Sequence, residues 1–313
     1  MQTPLFRFPG ILRLKWCVTK AIYLRFGCLA TSSSTLVVDR FEILGVLALR
    51  SLLVILSLGV AAFGAPPPNQ PDMRAIVEKS VAANDEVFKM APDFNYKERD
   101  REKGHTKTYQ VTMIDGTPYQ RLIVLDGKPL SGSQFQEEQK KEQQARSERR
   151  SESPEKRNQR IQKYQRDRQR DHEMIQELTK AFNFTYMGQQ RVRGFSVYAL
   201  KATPRPGYQP SSMQARVLTG MQGSLWIDQK TYRWVRVSAR VIHPVSIEGF
   251  LAEVEPGTQF LMETSPVTGG MWQISHFAMK SQAKILHMVT RGSQEDDTFF
   301  DYQYIGNAKN PSK

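Results

Sequence analysis

The side chains able to do chemistry are few and scattered. The five histidines, His105, His172, His243, His276 and His287, show neither H-x-x-x-H nor H-E-x-x-H spacing, the helical arrangement that brings two imidazoles to one metal. No G-x-S-x-G turn, Walker loop or G-x-G-x-x-G stretch occurs to present a nucleophilic serine or cradle a phosphate. His276 and His287 stand in strand-like runs and read as sheet residues rather than ligands. Glu295-Asp296-Asp297 is the densest run of carboxylates. Placed before a strand it reads as a solvated turn, with a calcium site as the lesser alternative. Neither an enzyme nor a cofactor or metal site is expected.

Two other chemistries remain. The aromatic residues Trp226, Phe260, Trp272, Phe277 and Phe299 lie in runs that are apolar on both faces. They can fill a core or line an apolar cavity for hydrocarbon. The second is charge: Lys156–Arg170 carries seven Lys/Arg against one Asp, with Arg157, Arg160, Lys163 and Arg166 at helical spacing. Such a patch is a solvated helix face or an electrostatic docking surface for an anionic membrane or an acidic partner.

The elements that must carry these residues begin with the last third, Met221–Ile305. In Trp234–His243, Val235, Val237, Ala239 and Val241 alternate with Arg236, Ser238 and Arg240, the period of a half-buried strand. Similar runs, at 223–228, 257–263, 271–283, 285–291 and 298–305, are separated by Gly, Pro and Asp turns. They predict a meandering antiparallel sheet that curls into a barrel or half-barrel, with about ten strands in all. Upstream, Asp72 starts a helix to about Met90 with Met73, Ile76, Val77, Ser80, Asn84, Val87 and Phe88 along one side, apolar at its ends and polar in its middle. Asp115-Gly116 joins two strands in a hairpin, and Asp126-Gly127 closes its far end. Strands are also expected at 183–188 and 191–203.

Between them lies a charged insert, residues 133–180, rich in strong helix formers. Ser153-Pro154 is an N-cap followed by a proline at the first helical position, so the insert divides there into a helical hairpin unless it runs as one long helix. In the second helix Ile161, Tyr164, Ile175 and Leu178 keep helical spacing while Arg168 and Asp171 interrupt it. Its ends are expected to dock and its centre to be solvated.

The formal charge of +13 is raised by the first 65 residues; without them 37 Lys/Arg face 29 Asp/Glu. Residues 44–65 read as a cleaved secretory signal, with Arg40 and Arg50 ahead of an apolar run and Ala62-Phe63-Gly64 as the cleavage site. The run after Arg50 is only about 13 residues, short of the ~20 that span a membrane. Residues 1–43 then read as a mis-called extension, with the true start near Leu44 or Val46. Cys17 and Cys28 both lie upstream, so the mature chain is expected to lack thiols. An exported protein rarely meets nucleic acid, and none is expected as partner. Residues 66–71 form a Pro-rich linker, 72–305 the folded domain and 306–313 a tail.

Three stretches, Ala202–Pro210, Leu218–Asp228 and Val254–Phe260, together with Asp297–Tyr302, resemble the exported outer-membrane lipoprotein-sorting proteins of LolA-like type, related to LolB and RseB. The resemblance covers roughly 72–305. It implies an unclosed antiparallel barrel covered by helices, mainly β with α. It also implies a non-enzymatic periplasmic carrier whose interior holds lipid or lipoprotein acyl chains. The long charged insert departs from the carrier's pattern and leaves a second expectation open, an envelope regulator or sensor that binds a membrane-anchored partner in the inner or outer membrane.

Overall fold

The computed structural model describes residues 71–102, 104–246, 252–285 and 289–306. The expected extension, the signal segment, nearly all of the linker and tail, and His287 lie outside the described residues.

Helix α1, Met73–Met90, starts where Asp72 accepts from the backbone N–H groups of Arg74 and Ala75. It buries Ile76, Val77, Ser80, Val81 and Asn84. Strands β1 (Phe94–Glu102), β2 (His105–Ile114), β3 (Thr117–Leu125) and β4 (Lys128–Pro129) follow as a meander. The charged insert forms α2 (Gly132–Arg150) and α3 (Pro154–Ala181), with Ser153 capping α3 and Pro154 in its first turn. The chain continues through β5 (Phe182–Val192), β6 (Phe195–Pro204), a 3-10 turn at Gln214–Gly220, β7 (Met221–Asp228), β8 (Trp234–Val241), β9 (Val245–Ser246) and β10 (Ala252–Val254). It ends with β11 (Gln259–Pro266), β12 (Trp272–Ile285) and β13 (Val289–Tyr304).

Among the described residues all strands belong to one antiparallel sheet in the order β4-β3-β2-β1-β13-β12-β11-β8-β7-β6-β5, with β10 paired to β12 and β9 to β10. The last strand returns to pair with the first, Asp297 opposite Asp100. The two ends of the path, β4 and β5, do not pair, so the barrel is unclosed. This is the mainly-β, helix-covered half-barrel that the sequence resemblance implied.

Tight two-residue turns set several registers. Asp115-Gly116, Asp126-Gly127 and Arg193-Gly194 all hold positive φ at both positions, the combination whose twist matches that of paired strands. The third turn corrects the expectation of a strand through 191–203. Arg193 takes a left-handed φ of 51° and breaks that run into β5 and β6.

Two further corrections concern charge. Among the described residues thirteen strands stand where about ten were expected, partly because β1 was hidden: six of its nine residues are charged, so no apolar period marks it. And the acidic run is no turn. β13 continues straight through Glu295-Asp296-Asp297, where Glu295 and Asp297 are buried and Asp296 pairs with His276 across to β12.

Candidate functional site, an apolar cleft under the charged insert

Alternation along β5–β8 and β11 puts one row of side chains on a common face. Phe182 and Phe184, Ala202, Met221 and Leu225, Trp234, Val237 and Ala239, and Phe260 and Met262 floor a cleft there. Val217 and Leu218 of the 3-10 turn wall it, and Met174 and Leu178 of α3 roof it. Among the described residues its lining contains no charged side chain; Ser224 and Ser238 supply the hydroxyls. Gly223 permits the floor: a Cβ there would run into the carbonyl of Ser238 on β8. The void is about 70 Å³, well under the ~300–1,000 Å³ that encloses a whole small ligand.

The roof is held at three places. Near the β2–β3 turn, buried Arg149 of α2 donates to the carbonyls of Ile114 and Thr117 at 2.9 Å and of Pro118 at 3.2 Å. Burial holds its guanidinium below the usual arginine value. Arg160 of α3 pairs with Glu152 at 2.7 Å and donates to the Asp115 carbonyl and the Thr117 hydroxyl. Midway, His172 stacks on Phe88 of α1 at 4.7 Å and bonds Asp85. There Arg168 lies over Phe88 at 4.5 Å and donates to its carbonyl. Hydrogen bonding to Lys89 leads the causes that hold the Asp85 carboxyl below its ordinary value, against burial, with His172 adding to it. At the far end Glu177 accepts from Tyr208, while Arg205 donates to the carbonyls of Thr179 and Phe182. So α3 crosses from the β2–β3 turn to β5, toward the two unpaired ends of the sheet.

The middle of α3 is therefore not left to solvent as its charges predicted. The Arg168 guanidinium lies over the Phe88 ring, a contact that apolar periodicity does not register.

Of the aromatic residues expected to meet hydrocarbon, Phe260 lines the cleft. Phe277 and Phe299 form a buried cluster with Met279, against which Phe260 and Met262 also pack. Trp226 and Trp272 sit apart, packed with Val197, Val235 and Phe195, and the Trp226 indole donates to Gln190 at 3.0 Å. Leu178 was read as one of the docking residues at the end of its helix; the residues that sequence reasoning missed, Met174, Val217 and Leu218, come from that same helix, otherwise mainly charged, and from a loop. Of the basic quartet, Arg157, Lys163 and Arg166 are exposed, whereas Arg160 is spent on the contacts above. No group of three His, Cys, Asp or Glu side chains among the described residues is placed to hold a metal ion.

Fold and cleft together define an unclosed antiparallel barrel with a helix-capped apolar interior. No protein-family model matches the chain, and no curated protein sequence matches it. Its structure is similar to that of a DUF1329 family protein from Desulfovibrio piger, at 12% identity and TM-score 0.28 over 75% of this chain and 94% of the other. It is likewise similar to a LolA superfamily protein from Nitrosomonas europaea, at 12% identity and TM-score 0.29 over 75% and 94%. A third similar structure is an outer membrane lipoprotein-sorting protein domain from Vibrio parahaemolyticus, at 11% identity and TM-score 0.28 over 74% and 95%. At these values the likeness does not bear on what is bound. Among the described residues no helix is long and apolar enough to cross a membrane.

Proposed function

We propose that this protein is a non-enzymatic periplasmic binder or carrier of acyl chains, belonging to lipids or to lipoproteins bound for the outer membrane. The observation that carries the reading is the cleft whose floor, wall and roof are apolar. Such a surface stabilises an inserted chain by ~0.8 kcal/mol per buried CH₂ and needs no polar recognition. The 70 Å³ void cannot take a whole chain with α3 in place. Loading therefore requires Met174 and Leu178 to lift from the sheet, which makes the end of α3 the lid. Export through residues 44–65 and the LolA-like stretches support the same setting.

Native mass spectrometry of the protein purified from its own envelope tests this. Lipid adducts are expected on the parent, and a several-fold loss on Ala202→Leu and Ala239→Leu, which fill the cleft from its floor. An adduct-free parent, or adducts indifferent to both changes, would overturn it.

A second reading makes the protein a regulator that binds a membrane-anchored partner. It draws on the long polar insert, whose Arg157, Lys163 and Arg166 face solvent. An adduct-free protein that co-purifies with a membrane protein would favour it.

A further inference from the structure

The two free edges of the sheet are built differently. At one end β4 is only Lys128-Pro129, both exposed. A short strand, a lysine and a proline are the devices that keep an edge from pairing with other chains. At the other end β5 runs for eleven residues, and among the described residues only β6 pairs with it. From Phe182 to Gln190 it holds no charge and no proline. The register slips between Tyr186 and Gln189, where Gly188 takes a φ of 103°, so a bulge disturbs only the later half.

The register also shows which backbone groups this edge offers. Residues along an antiparallel pair alternate between exchanging hydrogen bonds and turning those groups outward. Pro204, opposite Phe182, has no N–H to give, and the Arg205 N–H donates to the Ala181 carbonyl at 2.8 Å. Phe182, Phe184 and Tyr186 therefore turn their N–H and C=O groups away from β6. Those of Phe182 are met by the Leu178 carbonyl and the Arg205 guanidinium. Those of Phe184 and Tyr186 point off the edge, where no strand lies among the described residues.

The strand fits a second copy of itself. Set antiparallel about a two-fold axis through Thr185, two β5 strands place Phe184 opposite Tyr186 twice, and each of those pairs exchanges two backbone bonds. Thr185 then faces its own counterpart. Aromatic pairs and threonine pairs are both favourable across strands. Met187, at 53% the most exposed large apolar side chain among the described residues, falls opposite Asn183 of the second copy. Lys201, exposed and opposite Thr185 on β6, brings a charge to the same face. Three strand spacings of ~4.8 Å keep its two copies about 14 Å apart, beyond the ~8 Å Debye length. A foreign strand would meet the same backbone groups; the symmetric match of side chains selects the second copy. We propose that this protein forms a two-fold dimer in which two β5 edges pair and join the half-barrels into one continuous sheet. A pairing this short falls below the ~20–30 residues a side of stable complexes, so the dimer is weak and concentration-dependent.

Sedimentation velocity of the protein purified from its own envelope, from low micromolar concentration upward, tests the proposal; a reversible shift from monomer to dimer is expected. Thr185→Lys, at an exposed position, sets two ammonium groups across the axis and should weaken the dimer at least tenfold without lowering the melting temperature. Thr185→Cys reads the register. A pair of this kind holds its Cα atoms ~4.5 Å apart, within disulfide reach, so mild oxidation should join two chains. Gln189→Cys, which would lie opposite Ala181 of the second copy, should cross-link at least tenfold less. A parent that stays monomeric would overturn the proposal and leave the edge to a foreign strand. A dimer that Thr185→Lys does not weaken, or equal cross-linking at the two positions, would overturn it as well; the cysteine pair decides if the lysine variant fails to fold. The acyl-chain reading stands separately, because a monomer would still carry its lipid adducts.

Discussion

The indole N–H of Trp234 on β8 donates to the hydroxyl of Ser80 on α1 across 3.1 Å, and Ser80 in turn donates to the Val77 carbonyl at 2.8 Å. Both side chains are buried. That bond gives a reason for the polar middle of the α1 stripe: the helix lies on the sheet, and its serine meets the one polar atom of a buried tryptophan. Ser80→Ala should therefore destabilise the fold by about 1–3 kcal/mol by orphaning the indole. Trp234→Phe in the same background should cost less than the sum of the single changes, because both partners are then gone. Urea unfolding of the four proteins measures the coupling, and strict additivity would sink the account.

Arg149 supplies a second test of how the insert is fixed. Its guanidinium reaches three carbonyls around the β2–β3 turn, a geometry that a single ammonium does not reproduce. Both Arg149→Met and Arg149→Lys are expected to lose roughly 1.5–3 kcal/mol and to raise amide exchange in residues 114–117. Full stability in the lysine variant would show that charge, not the fork of hydrogen bonds, matters there.

Much of the fold was legible in local pattern, and the losses have physical causes. The Asp-Gly turns, the Val-rich β8 and the Ser153-Pro154 break all act through neighbours in sequence, where spacing is informative. β1 was illegible because most of its side chains are charged and one of its two partners is remote: Asp100 meets Lys107 nearby but Asp297 from the far end of the chain. The acidic run was misread for the same reason, since Asp296 is satisfied by His276 twenty residues away. At the cleft, Phe260 was legible as a large apolar residue in a strand. Of the roof, Leu178 was legible in the helical stripe, whereas Met174 was not, because it stands in a helix whose composition advertises charge.

The far anchor of the lid carries a pH dependence. Burial pushes the Glu177 carboxyl up, but hydrogen bonds from Tyr208, Lys180 and Ser211 outweigh it and hold the group below the ordinary glutamate value. A carboxylate held low in the folded state contributes its stability above the unfolded value, and that contribution is lost as pH falls through the folded one. Docking of the α3 end should therefore weaken as pH drops below the ~4.3 of a free glutamate, with no change near neutrality, where the Tyr208 hydroxyl, pushed up by burial and by Glu177, stays protonated. Amide exchange across 175–184 followed from pH 6 to 3 should show this opening. Glu177→Gln should remove the acid step while loosening the segment at neutral pH. An identical acid step in that variant would assign it to another group.

The exposed bases of α3 give the last prediction. Arg157, Lys163 and Arg166 face solvent, and Lys163 makes a loose 3.5 Å pair with Asp167. Near an anionic bilayer each base contributes on the order of 1 kcal/mol, so three together change affinity by about a hundredfold or more. With a Debye length of ~8 Å at physiological ionic strength, the local cluster rather than the net charge of the insert decides the outcome. A chain starting at Pro66 should co-sediment with vesicles containing phosphatidylglycerol, less so as salt rises. The triple change of Arg157, Lys163 and Arg166 to Gln should abolish that binding without altering the fold. Arg160→Gln is the control: its side chain holds Glu152 and the β2–β3 turn, so it should lower stability and leave vesicle binding nearly intact at temperatures where the protein is folded. If the triple variant binds as well as the parent at low salt, the bases are a solvated face and nothing more.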